Sequence, residues 1–209
     1  LLPLFRFTLR TPDSLSTVTA GRYHSQREAD FRRRIDNRYL TLTARESNVP
    51  ADSLVMLDKR YARELMAEPA SWELLFQRGI TQTLIKQYTN AVGTFTSAID
   101  QYPTNPFLYL NRSTTRAEMI DFISSIDNSY ITIESDPAKR LQNSQSRTYN
   151  YDEAIADLNK AAKLYPDFPY TYYNRANLMA LSGKLPEAYN DYTKAIELNP
   201  AFAEAYYNR

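Results

Sequence analysis

The sequence predicts an all-α protein built from stacked antiparallel helix pairs, with a small non-repeat module at its N-terminus. Three observations predict this class. Identical residues recur 34 positions apart, as in Asn174-Arg175 and Asn208-Arg209. Amphipathic segments alternate with short turns between them. The chain has only 4 glycines and a mean hydropathy of −0.54, a composition typical of polar, helix-rich chains.

Residues 1–50 fit no repeat and form the predicted N-terminal module. Alternating apolar and polar residues predict short strands at 4–10 and 39–43. The spacing of Ser25 and Glu28 is that of a capping box, which predicts a helix over about 26–38. An arginine run at 32–34 raises the question of nucleic-acid binding, but nearby acids and the lack of an aromatic platform favour a solvated helix face.

Residues 51–71 predict a degenerate capping helix, over about 51–67. Apolar residues keep the register of a second repeat helix, and they are Leu54, Leu57, Tyr61 and Leu65, followed by Pro69. Glu64 occupies the position where the other units carry a small residue, so the pattern is incomplete.

Three full units follow at 72–105, 106–168 and 169–202. In the third, Gly183 supplies the left-handed turn that ends the first helix, and Pro186 lies in the first turn of the second. Pro200 ends the second helix. Neither helix can bury its apolar stripe alone, so neighbouring units must stack.

The middle unit is longer than the others and contains a predicted insertion at about 120–149. Apolar residues at helical spacing predict that the insertion begins by continuing the preceding helix, and they are Met119, Phe122, Ile123 and Ile126. Asp136-Pro137 then breaks the helix. Two interpretations stay open: a functional projection, or a longer helix that covers the edge of a groove.

The pattern of aromatic, small and proline residues resembles the tetratricopeptide repeat (TPR). The matching residues in the first and third units are Gly79, Tyr88, Ala91, Phe95, Ala98, Pro103, Tyr172, Ala176, Ala188, Tyr192, Ala195 and Pro200. In the middle unit they are Tyr109, Ser113, Tyr151, Ala154, Leu158, Ala161 and Pro166. The resemblance implies a right-handed superhelix. Residues 203–209 then begin a further, truncated repeat, so we interpret the chain as a fragment that could self-associate through this open end.

The resemblance also implies a binding groove on the concave face, lined by the first helix of each unit. The expected groove residues are Phe76, Ile80, Thr83, Phe107, Leu110, Asn111, Thr114, Tyr170, Tyr173, Asn174, Asn177 and Tyr207. Aromatic rings and amides suit an extended protein or peptide partner. Alternatively, the tyrosines only pack between units. Apolar residues replace the basic residues of family members that clamp a C-terminal carboxylate, which disfavours such a clamp.

The recurring arginines have a predicted structural role. They are Arg78, Arg112, Arg175 and Arg209. We expect their stems to pack between helices and their heads to meet acids of the next unit.

The composition provides little catalytic chemistry. The chain has 0 cysteines, a single histidine (His24) and no glycine-rich phosphate loop. We therefore predict no catalytic residue, metal or cofactor, and a role as a scaffold or adaptor rather than an enzyme. The net charge of +1 gives no general attraction to nucleic acid. The alternatives are a structural subunit of a larger assembly and a glycan-binding protein, and cytoplasm and periplasm are both compatible with the sequence.

Overall fold

The computed structural model describes residues 6–9, 40–43, 51–133 and 150–209, with side chains for 51–126 and 150–209. The predicted helix at 26–38, His24, the arginine run at 32–34 and the later part of the insertion lie outside the described residues. Among the described helices, none has the length and apolar character needed to cross a membrane.

Two strands and eight helices make up the described part of the chain. The strands are β1 (Arg6–Leu9) and β2 (Leu40–Thr43). The helices are α1 (Ala51–Ala67), α2 (Trp72–Leu84), α3 (Tyr88–Gln101), α4 (Pro106–Ile133), α5 (Asp152–Leu164), α6 (Pro169–Leu181), α7 (Leu185–Leu198) and α8 (Ala203–Asn208). The strands β1 and β2 lie within the segments expected to be extended, α1 spans the residues of the expected helix at 51–67, and α4 continues into the expected insertion.

The helices stack as antiparallel pairs, as the sequence predicts. Unit 1 consists of α2 and α3, unit 2 of α4 and α5, and unit 3 of α6 and α7, while α8 begins a further unit. Each helix packs mainly against its neighbours in the chain. The all-helical stack is therefore confirmed, whereas the exact division of the chain into domains stays a prediction.

Small residues allow the two helices of each unit to approach closely. Ala91, Ala154 and Ala188 begin the second helices and are only 0%, 1% and 2% exposed. In unit 1 the approach leaves no room for a side chain at Gly79, because a Cβ added there would lie 2.7 Å from the ring of Phe95. Substituting these positions with larger residues would separate the paired helices.

The turns inside units 1 and 3 have the same left-handed geometry. In unit 3, Gly183 has a φ of +76°, the backbone N–H of Gly183 donates to the carbonyl of Ala180, and that of Lys184 donates to Met179. These bonds satisfy the last carbonyls of α6. In unit 1 the corresponding residue is Lys86, whose φ is +62°. A non-glycine residue therefore adopts the conformation that glycine supplies in unit 3.

The strands β1 and β2 form an antiparallel pair, in which Phe7 lies opposite Leu42 and Thr8 opposite Thr41. The backbone of β1 also lies close to α2 and α4. The strand β1 thus lies beside the first helices of units 1 and 2.

Candidate functional site

The first helices of the units carry all the predicted groove residues. Helix α2 carries Phe76, Ile80 and Thr83; α4 carries Phe107, Leu110, Asn111 and Thr114; α6 carries Tyr170, Tyr173, Asn174 and Asn177; and α8 carries Tyr207. Helices α2, α4 and α6 contact one another in sequence order. The structure therefore places these residues on the first helices of the units, of which α2, α4 and α6 are adjacent.

Ten of the twelve predicted residues are buried, each with no more than 4% of its surface exposed. The two others are Tyr170, which is half-buried, and Tyr207, which is 91% exposed. Tyr173 is 0% exposed and packs between units, as the alternative interpretation of the tyrosines states. Of the predicted set, Tyr207 offers a ligand the largest accessible surface.

Aromatic rings form a continuous row from unit 2 to α8. The ring centroids of Phe107 and Phe168 are 5.6 Å apart, and those of Phe168 and Tyr170 are 5.3 Å apart. Phe202 continues the row, with centroids 4.9 Å from Tyr170 and 4.8 Å from Tyr173. Such contacts stabilise by about 0.5–1.5 kcal/mol each beyond the area they bury. The row therefore joins units 2 and 3 at their first helices.

Phe168 and Phe202 were missed in the selection of groove residues from the sequence. Each precedes the first helix of a unit, at the N-cap of α6 and α8. They are 34 positions apart, and this spacing was the available signal.

A small polar cluster connects α8 to unit 3. The hydroxyl of Tyr192 donates to Asn177 Oδ1 at 2.6 Å. Asn208 Nδ2 donates to the hydroxyl of Tyr173 at 3.0 Å and to Asn177 Oδ1 at 3.3 Å. Burial raises the pKa of Tyr192 to about 12 and also raises the pKa of Tyr173. The amide of Asn177 thus has partners within the protein.

Polar groups on the earlier helices are also engaged internally. Asn111 Nδ2 donates to the carbonyl of Phe107 at 3.0 Å, and Thr114 Oγ1 donates to the carbonyl of Leu110 at 2.9 Å. The hydroxyls of Thr83 and Thr115 are 2.8 Å apart, which links α2 to α4. The first two bonds lie within α4, and the contact between Thr83 and Thr115 joins α4 to α2.

The recurring arginines bond acids, but not those of the next unit. Arg175 forms a two-pronged ion pair with Asp191 on the second helix of its own unit, at 2.6 and 2.7 Å. Its remaining Nη1 donates to Asn159 of the preceding unit at 2.8 Å. Arg112 likewise pairs with Asp157 of its own unit, at 3.0 and 2.6 Å.

The expectation for the partners of these arginines was therefore wrong. The guanidinium groups of Arg112 and Arg175 reach the second helix of their own unit. Arg78 differs again, because its Nε donates at 3.0 Å to Asp58 on the preceding α1. Arg209 lies over the rings of Tyr189 and Tyr206, at 5.7 and 5.6 Å.

A separate cavity of about 380 Å³ lies where α3, α4 and α5 meet. Its apolar lining includes Val92, Met119, Ile120 and Ala154, and Arg116 lies at its edge. Arg116 is held there by Asp157 Oδ2 at 2.6 Å. None of the predicted groove residues lines this cavity. In the described ranges, no group of three or more histidine, cysteine, aspartate or glutamate residues could hold a metal ion.

Family models of the repeat match the chain in three places. The model described as "Tetratricopeptide repeat" matches residues 73–105, and the model described as "TPR repeat" matches 150–183 and 180–209. The chain is a tetratricopeptide repeat protein. No curated protein sequence matches this chain.

Solved structures show the same fold at low sequence identity. A crystal structure of MamA is 19% identical, with a TM-score of 0.53 over 72% of this chain and 71% of MamA. A second structure, MamA MSR-1 C2, is 18% identical, with a TM-score of 0.50 over 72% and 70% of the two chains. The first TPR domain of human RPAP3 is 24% identical, with a TM-score of 0.48 over 66% and 87%. The two MamA structures share the fold of this TPR protein.

Proposed function

We propose that this TPR protein is a non-catalytic scaffold that binds an extended segment of a protein partner along the first helices of its units. The observation that carries the proposal is the aromatic row from Phe107 to Tyr173 on the first helices, together with the exposed ring of Tyr207 on α8. The helices that bear these rings lie side by side, so a single extended chain can contact several units.

The chemistry of the row suits apolar and aromatic side chains of a ligand. The half-buried ring of Tyr170 and the exposed ring of Tyr207 can bury apolar groups of a ligand, and the Tyr207 hydroxyl can bond a peptide backbone. Binding of an extended peptide in such a groove at micromolar strength corresponds to about 8 kcal/mol.

The ligand need not end in a free carboxylate. Family members that clamp a C-terminal carboxylate carry basic residues at positions where this chain has Phe76, Leu110 and Tyr173. A carboxylate would therefore lose its hydration there without gaining a cationic partner. This supports an internal segment of the partner over an acidic C-terminus.

Tyr207→Ala tests the proposal without disturbing the core. Tyr207 is 91% exposed, so its removal costs little stability, but a ligand on the first helices would lose a contact. We expect a partner selected from a peptide display library to bind about tenfold more weakly, which corresponds to 1.4 kcal/mol. The measurement is a fluorescence anisotropy titration.

Tyr189→Ala is the matched control. Tyr189 is also an exposed tyrosine, at 53%, but it lies on the second helix α7. Affinity should be unchanged in this variant. Equal affinity losses in both variants, or none in Tyr207→Ala, would contradict binding along the first helices. Tyr173→Ala is unsuitable for the test, because this side chain is fully buried and its truncation would cost about 3–5 kcal/mol of stability.

A second candidate is assembly with other chains through α8. Tyr206 and Tyr207 expose 49% and 91% of their surfaces on this helix, and these exposed rings favour assembly through it. Sedimentation velocity of the Tyr206→Ala, Tyr207→Ala double variant discriminates between the candidates. A loss of oligomers with unchanged peptide affinity would favour assembly. A glycan array, in which we expect no binding, tests the glycan-binding alternative.

A further inference from the structure

The strand β1 lies against the same helices that carry the first part of the proposed binding surface. Its backbone is close to α2 and α4, the first helices of units 1 and 2. Its partner β2 pairs with it in antiparallel register, from Arg6 opposite Thr43 to Leu9 opposite Leu40. An extended segment of the chain therefore already lies beside two first helices.

We propose that β1 is an intramolecular ligand of units 1 and 2. This inference rests on the proposed function, in which the first helices bind extended segments, and β1 is an example of such a segment. That segment is a short strand with alternating polar and apolar residues, here Arg6-Phe7-Thr8-Leu9. An external partner then binds first at unit 3 and α8, and reaches units 1 and 2 only by displacing β1.

The exposed end of the proposed binding surface lies at α8. Phe76, Leu110, Tyr173 and Tyr207 hold the same repeat position and expose 1%, 1%, 0% and 91% of their surfaces. Phe76 packs against Trp72 and Phe95 of its own unit. An external partner therefore finds the more accessible ring at α8, at the other end of the stack from β1.

Charge also favours contact between the two regions. Residues 1–50 contain 9 arginines and 5 acids, a net charge of +4, whereas residues 51–209 contain 16 basic and 19 acidic residues, a net charge of −3. Opposite net charges attract over distances of about the Debye length, roughly 10 Å at moderate ionic strength. The attachment of β1 should therefore weaken as salt is added.

A covalently attached ligand competes strongly with an external one. A short flexible connection gives an effective concentration in the millimolar range, on the order of 10³ times a micromolar dissociation constant. Even a weak intramolecular contact can therefore reduce the affinity of units 1 and 2 for a partner.

The test uses the full chain, with a site-specific protease sequence replacing residues 44–50. The protein is purified intact, cleaved, and passed over a gel-filtration column under native conditions. We expect the N-terminal piece to co-elute with the repeats at low salt and to separate at high salt. Separation at low salt would overturn the proposal.

A proline in β1 tests whether the strand itself makes the contact. Thr8→Pro removes a backbone N–H and restricts the backbone dihedral angles of the strand. Thr8→Ala keeps the N–H and does not restrict the backbone, so it serves as the matched control. After cleavage, we expect the Thr8→Pro piece to dissociate at least tenfold more readily and the Thr8→Ala piece to remain bound. Equal retention of both pieces would show that β1 is not the ligand.

This experiment is independent of any external partner. Co-elution without a measurable effect of Tyr207→Ala on partner affinity would retain the intramolecular contact and reject the proposed function. Separation of the N-terminal piece together with weaker partner binding in Tyr207→Ala would reject the intramolecular contact and retain the proposed function. If the contact and the proposed function are both correct, the Thr8→Pro protein should bind the external partner at least tenfold more tightly than the Thr8→Ala protein.

Discussion

Units 1 and 3 build the same helix pair with different residues at three equivalent positions. Unit 1 places Gly79 against Phe95, and the equivalent residues of unit 3 are Ala176 and Tyr192. The turn of unit 1 contains Lys86 in the left-handed conformation that Gly183 adopts in unit 3. Unit 1 therefore combines a helix contact that leaves no room for a Cβ at Gly79 with a more strained turn.

The arginines of the two units differ as well. Arg175 in unit 3 bonds Asp191 through two nitrogens, with the side chains only 17% and 11% exposed. Arg78 in unit 1 bonds Asp58 at 3.0 Å, with the side chains 30% and 16% exposed. The two units therefore share the path of the backbone, but each pairs its partly buried arginine with a different acid.

The largest effect is expected from removing the acid of unit 3. Asp191→Ala leaves the partly buried guanidinium of Arg175 without its carboxylate, and we expect the free energy of unfolding to fall by about 3 kcal/mol. The unit 1 counterpart, Asp58→Ala, should cost about 1 kcal/mol or less, because that pair is more exposed. Urea unfolding monitored by circular dichroism measures both. Equal losses would show that the two-pronged geometry makes no difference.

The next effect concerns the small residue between the paired helices. Gly79→Ala places a Cβ against the ring of Phe95, and we expect a loss of about 1–3 kcal/mol from overpacking. Ala176→Gly makes the reverse change in unit 3 and should cost about 1 kcal/mol through helix propensity. Thermal unfolding compares the two. A stabilised Gly79→Ala protein would contradict the close approach in unit 1.

The turns should give a smaller effect, of opposite sign in the two units. Gly183→Ala forces a side chain into the left-handed region and should cost about 1 kcal/mol. Lys86→Gly relieves that strain in unit 1, but it also removes the ammonium group that lies 5.5 Å from the ring of Phe122. We therefore expect a gain below about 1 kcal/mol. Chemical denaturation checks both signs, and a destabilised Lys86→Gly protein would contradict the strain.

The last prediction concerns the aromatic residue of the second helix, where the effect on stability changes with pH. The pKa of Tyr192 is about 12 in the folded chain, above the usual value of 10.0, because the phenol is buried. The folded state therefore keeps a proton that the unfolded state loses. Stability is fully present below pH 10.0 and falls as the pH rises towards about 12.

Tyr192→Phe gives unit 3 the residue type found in unit 1 and should flatten this alkaline decline. At neutral pH the variant should lose about 1 kcal/mol, because the hydrogen bond to Asn177 disappears. Unfolding midpoints measured from pH 7 to 12 test the slope. An unchanged slope would show that other groups govern alkaline unfolding.

Much of the fold was predictable because the repeat is a local pattern. Each unit contains its own helix stripes, small residues and stop signals, so Ala91, Ala154 and Ala188 could be assigned to helix contacts from their spacing. The strand segments and the extension of α4 also follow from short-range periodicity. The positions of the groove residues on first helices followed from the family register.

The accessibility of the candidate site was not predictable. The sequence places Tyr173 and Tyr207 at the same repeat position, yet one is fully buried and the other almost fully exposed. Exposure depends on which other groups cover a side chain, and here Phe202 and Asn208 contact Tyr173 from the next unit. The arginine partners were mispredicted for a related reason, since a helix pattern does not state which neighbour a long side chain reaches.

The repeat, its all-helical class and the residues between the paired helices can be assigned from the amino-acid order alone, because they depend on spacing within about 34 residues. Folding in three dimensions was needed to show that Arg112 and Arg175 pair within their own units, that Lys86 adopts the left-handed turn, and that β1 lies beside α2 and α4. The physical reason is that these features depend on distances between elements, which local periodicity leaves undetermined.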